Sequence, residues 1–164
     1  MSTTYDDKAT FKDTVTLIAA PVLPDGCIDA DHVEAGAGIE ASKLDHQHRA
    51  NYSQESATVA ASGAWVRHTA KGAGTLQEFK CGVVVACIGD STITVDLLKN
   101  GVSILTAAVV LDNGDAAYAK VAGTIDTATF VTGDVFEVKI TATVGTGTLG
   151  KGVFAYVDID EAYQ

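Results

Sequence analysis

The residues best suited to chemistry are three histidines in the first third of the chain. Asp45-His46-Gln47-His48 carries a His-x-His step, with His32 upstream. On a strand, side chains two apart share a face, so both imidazoles could grip zinc or copper. No cysteine or third ligand stands at a motif spacing, and the segment reads as irregular. Surface histidines making protein contacts account for it better, so neither a metal nor any other cofactor is expected.

Other patterns resolve in the same direction. Asp112-Asn113-Gly114-Asp115 offers oxygen ligands of the kind calcium takes. It lacks the Glu that closes a calcium loop about twelve positions on, and a tight turn held by Asx hydrogen bonds explains it. Gly72-Ala73-Gly74 has no following Lys-Ser/Thr and no helix to open, so it is not a phosphate loop. Glu78 and Glu137 would need to stand about 5–9.5 Å apart in one cleft to cleave a glycoside; as strand residues they read as solvent-facing. With no Gly-x-Ser-x-Gly and no nucleophile in a recognisable context, no catalytic residue and no enzyme are expected.

Three cysteines, Cys27, Cys81 and Cys87, are an odd number and argue against a disulfide framework. Cys81 and Cys87 read as sharing a strand six residues apart, roughly 20 Å at ~3.3 Å per residue. A disulfide allows only about 4.4–6.8 Å between Cα atoms, so both read as small buried apolar residues.

The elements that must carry these residues are strands. From Ser53 onward they recur at regular spacing: Ala64 to Thr69, Thr75 to Ile88, Ser91 to Lys99, Val102 to Leu111, Ala116 to Val121, Ala128 to Val131, Val135 to Val144 and Gly152 to Ile159. Asn100-Gly101 is a strong hairpin signal because both residues tolerate positive φ. Thr132-Gly133-Asp134 and the Gly145 to Gly152 stretch mark further turns. About eight short strands predict an all-β antiparallel sandwich or jelly roll. Trp65, Tyr118, Phe130, Phe136, Phe154 and Tyr156 are expected to fill its core.

Residues 1–52 read differently, as an extended, mostly irregular arm ahead of a body spanning 53–164. The segment holds both prolines, Pro21 and Pro24, and its apolar residues stand as isolated anchors in polar sequence. Ile28-Asp29-Ala30-Asp31-His32-Val33 is echoed eleven residues later by Ile39-Glu40-Ala41-Ser42-Lys43-Leu44. Ile28, Val33, Ile39, Leu44 and Tyr52 are the candidate partner-binding anchors. Fully extended, the arm would reach roughly 170–190 Å.

Composition narrows the partners. Eleven basic and 21 acidic residues give a formal charge of −10, with no Lys/Arg cluster to meet phosphates, so neither nucleic acid nor an anionic membrane is an expected partner. No apolar run approaches the ~20 residues that span a bilayer. The start of the chain has no basic and apolar signal-peptide pattern, so export by that route is not expected.

The run Ile39 to His48, followed by Asn51-Tyr52-Ser53-Gln54, resembles the arm-to-body junction of phage structural proteins. Thr94 to Leu105 resembles their sandwich hairpin, as do Thr132 to Val138 and Gly147 to Val153. From about Pro21 to Ile159 the chain is similar to the jelly-roll cement (decoration) proteins of tailed-phage heads. That resemblance implies a homotrimer on the outer surface of the virion, assembled in the host cytoplasm. Its implied partner is the major capsid protein, whose subunit junctions it would clamp. A carbohydrate-binding or receptor-binding sandwich of a phage fibre is the alternative.

Overall fold

The computed structural model describes residues 45–162, and among them there is no helix. The strands are β1 (Asp45–Ser53), β2 (Gly63–Thr69), β3 (Gly74–Val85), β4 (Ile88–Gly89), β5 (Thr92–Lys99) and β6 (Val102–Ser103). They continue as β7 (Val109–Leu111), β8 (Val121–Gly123), β9 (Thr129–Phe130), β10 (Val135–Thr143), β11 (Gly147–Thr148) and β12 (Lys151–Ala162).

All pairings are antiparallel. One sheet runs β1-β12-β3, with β8 and β9 both on the far side of β3. The other runs β2-β10-β5, with β6 and β7 both on β5. The short pair β4 and β11 forms a separate ribbon. If each split position is counted once and the ribbon set aside, eight positions remain. They run 1-8-3-6 in one sheet and 2-7-4-5 in the other, which is the double Greek key of a jelly roll.

This topology moves the boundary of the body. Residues 45–52, read above as the end of the arm, belong to β1, the first strand of the jelly roll. It pairs with β12 from Asp45↔Ala162 to Ser53↔Phe154. His48, Ala50 and Tyr52 turn inward while Gln47, Arg49, Asn51 and Ser53 are exposed, the two-residue period of a strand. A histidine and an alanine on the inward face hide that period from a hydrophobicity reading. Ile28, Val33, Ile39 and Leu44, with Cys27 and His32, lie outside the described residues.

The core lies between the two sheets, where Phe79, Phe136, Ile93, Leu97, Leu111, Ile140 and Ile159 are almost wholly enclosed. Phe130 meets Phe136 edge to face at 5.2 Å, a favoured aromatic geometry. Asn100 and Gly101 take φ of 52° and 80° and turn β5 into β6, as their sequence predicts.

Three expectations are corrected. Val102 to Leu111 is not one strand: Ile104 and Leu105 are consecutive and both buried. β6 ends at Ser103 and β7 begins only at Val109, and between them Leu105 bridges to Ile125. Tyr118, expected in the core, is 67% exposed with φ 63°. Tyr52, expected to meet a partner, is instead buried in the core, its ring 4.8 Å from that of Trp65.

Candidate functional site

Three polar side chains converge where β1 and β2, the end strands of the two sheets among the described residues, lie together. On β12, Val153, Ala155, Val157 and Ile159 form the inward face, and Glu161 continues it at the end of the sandwich. A carboxylate at a core position requires partners, and Glu161 is only 6% exposed. Its Oε1 accepts from the backbone N–H of Lys71 and from that of Gly72 at 2.8 Å. Both donors come from the turn between β2 and β3. Gly72 has to be glycine for this approach, because a Cβ there would fall 1.7 Å from the Ala162 carbonyl oxygen.

The other carboxylate oxygen faces two imidazoles. His68 Nε2 lies 2.9 Å from Glu161 Oε2, and since a carboxylate only accepts, the ring nitrogen is the donor. His48 Nε2 lies 3.7 Å from the same oxygen, too far for a hydrogen bond. The two imidazole centroids are 4.7 Å apart, and His68 also stacks on Phe136 at 6.1 Å.

Burial alone would raise the Glu161 pKa. The N–H groups of Gly72 and Lys71, with His68, outweigh that and hold it below its usual 4.5. Glu161 is therefore ionised at neutral pH.

A bulge brings His68 into this group. Val66 pairs with Glu137 and His68 with Phe136, leaving Arg67 as the extra residue on β2. Without it, alternation from the inward Trp65 would point His68 outward; one added residue re-aims it. The spare Arg67 guanidinium lies over the Tyr52 ring at 5.1 Å.

Of the histidines singled out in the sequence, His48 enters the cluster. His46 lies two residues earlier in β1, its Cα opposite that of Glu161. Sequence reading missed His68 and Glu161. Glu161 was findable, because the inward alternation of β12 runs straight to it. His68 was not, because its orientation depends on the bulge.

The remaining candidates are placed as follows. Asp112-Asn113-Gly114-Asp115 is an Asx-bonded turn: Asp112 Oδ1 accepts from Gly114 N–H at 2.7 Å and Asp115 Oδ2 from Asp112 N–H at 3.0 Å. Glu78 on β3 and Glu137 on β10 belong to different sheets. Glu78 bonds Tyr156 and Lys80 on the outer face of one. Glu137 alternates with the buried Phe136 and Val138 on the outer face of the other, so the two carboxylates share no cleft. Cys81 and Cys87 are buried free thiols. Burial pushes the Cys81 thiol up to about 12, which leaves it a poor nucleophile.

The fold and cluster thus define a jelly-roll body with a half-buried His–His–Glu group at one edge, its carboxylate the buried member. No protein-family model matches the chain, and a search of curated proteins finds no match.

Proposed function

We propose that this chain is a structural protein of a tailed-phage head, a cement protein that binds the outside of the shell as a homotrimer. It would clamp junctions between major capsid protein subunits. The observation that supports this reading most is the junction itself. Residues 39–54, which resemble the arm-to-body junction of such proteins, run into β1, the first strand of a jelly roll.

The physics of the role is simple. A protein that binds only the assembled lattice stabilises that lattice by linkage, and several contacts from one trimer multiply into avidity. The residues ahead of β1 would reach at most roughly 145–160 Å if extended, enough to cross from one subunit to the next. Ile28, Val33, Ile39 and Leu44 supply apolar anchors whose burial would offset the entropy lost on ordering.

Deletion of residues 1–44 tests this, since it spares every described strand. The melting temperature of the body should stay within a degree or two of the full chain, while co-sedimentation with shells lacking the protein weakens at least about tenfold. Equal binding by the truncated chain would remove the arm from the clamp. Failure of the full chain to bind any shell would overturn the cement reading.

A further inference from the structure

The His48–His68–Glu161 cluster contains a ring nitrogen that no other described residue partners. His48 Nε2 is shut off from solvent and has no hydrogen-bond partner among the described residues, although it faces Glu161 Oε2 at 3.7 Å. An unpaired buried nitrogen is costly and calls for an explanation. Glu161 has a matching deficit. It is buried and ionised, and its only ion-pair partners among the described residues are these two histidines. We infer that His48, His68 and Glu161 form a binding site for one divalent transition-metal ion of the zinc type.

The donor set selects the ion class. Two imidazole nitrogens and one carboxylate oxygen suit zinc, with a fourth position left for water. Calcium and magnesium prefer oxygen throughout, and cuprous copper prefers sulfur. Spacing agrees as well. Bonds of about 2.0–2.1 Å in a tetrahedron set donors roughly 3.3–3.4 Å apart. Here the two nitrogen-to-oxygen separations are 2.9 and 3.7 Å, and all three donor atoms lie within 4.8 Å of one another. Side-chain shifts of about an ångström would close them on an ion, within reach of small χ adjustments.

Support behind the ligands is already in place. Glu161 Oε1 is held by the Lys71 and Gly72 N–H groups, so Oε2 is the oxygen left facing the imidazoles, as an oriented ligand requires. Binding moves a hydrogen, because His68 Nε2 must give up the one it donates to Glu161 before it can coordinate. That hydrogen moves to Nδ1, a change of tautomer that frees the Nε2 lone pair and leaves the ring neutral. The ion would tie β1 and β12 of one sheet to β2 of the other, at the strand the arm runs into.

The test titrates chelator-treated full-length chain with Zn²⁺ and, for spectroscopy, Co²⁺. One ion per chain should bind, raise the melting temperature by several degrees and give the visible Co²⁺ bands of four-coordinate nitrogen and oxygen ligation. His48→Thr is the decisive variant. Among the described residues His48 makes no hydrogen bond through Nε2 and lies on an end strand, where Thr fits, so the fold should persist, as circular dichroism would verify. Its affinity, and that of His68→Asn, should fall about a hundredfold or more, while Cys27→Ser/His32→Asn keeps wild-type binding. No binding at about 0.1 mM metal, unchanged affinity in His48→Thr, or loss in Cys27→Ser/His32→Asn would each overturn the site. Shell co-sedimentation is a separate measurement, so the metal site and the cement role can fail independently.

Discussion

At the Asp112–Asp115 turn and at Glu161 the same chemistry, backbone N–H to carboxylate, has opposite settings. Asp112 and Asp115 accept from Gly114 and Asp112 N–H groups in the open, where water would serve nearly as well. Glu161 accepts from Lys71 and Gly72 at 6% exposure, where no water replaces a lost donor. The turn looks more like a metal loop in sequence, yet its oxygens are already used locally. The cluster around the buried Glu161 looks like nothing in sequence, yet it holds the unused valence. Burial, rather than residue type, separates a satisfied turn from a candidate site.

The sharpest way to break that comparison is to remove each carboxylate. Glu161→Ala should cost about 3 kcal/mol, because it strands the buried Gly72 N–H, the part-buried Lys71 N–H and His68. Asp112→Ala should leave the urea midpoint near wild type. Equal losses in the two unfolding curves would mean that burial does not govern them.

Two glycines sharpen it further. Gly72→Ala would drive a Cβ into the Ala162 carbonyl, an overpacking loss of about 1–3 kcal/mol. Gly101 has nothing within 4 Å of a Cβ but sits at φ 80°, so Gly101→Ala should cost about 1 kcal/mol from backbone conformation alone. Chemical denaturation should rank them in that order, and only Gly72→Ala should disturb the imidazole resonances of His48 and His68.

Acid gives the smallest effect. Because the folded Glu161 pKa lies below its usual 4.5, its contribution is complete above that value. It is lost as pH falls through the lowered folded value. Wild type should therefore lose stability in this acid window more steeply than Glu161→Gln. Asp134 is also held low, by the Val131 N–H and the Asn100 amide, but it is exposed, so Asp134→Asn should flatten the profile much less. Parallel profiles for wild type and Glu161→Gln would show that Glu161 is not held as its contacts imply.

Much of the fold was legible in the residues. Alternation along Thr92–Lys99 and Val135–Thr143, the Asn100-Gly101 turn and the Asx turn at Asp112 are local properties, decided by side-chain period and permitted φ. Those rules were enough to predict an all-β sandwich. They misplaced the arm boundary because His48 and Ala50 broke the apolar period of β1, and they joined β6 to β7 because nothing local announces where a chain leaves its ladder. What only the tertiary structure decided was the meeting of His48, His68 and Glu161. Strand order 1-8-3-6 over 2-7-4-5 lays β1 and β12 beside β2, and the Arg67 bulge turns His68 inward. Pairing between residues 20 to 113 positions apart leaves no trace in the spacing of any one segment, because its register is set by the packing of the whole core.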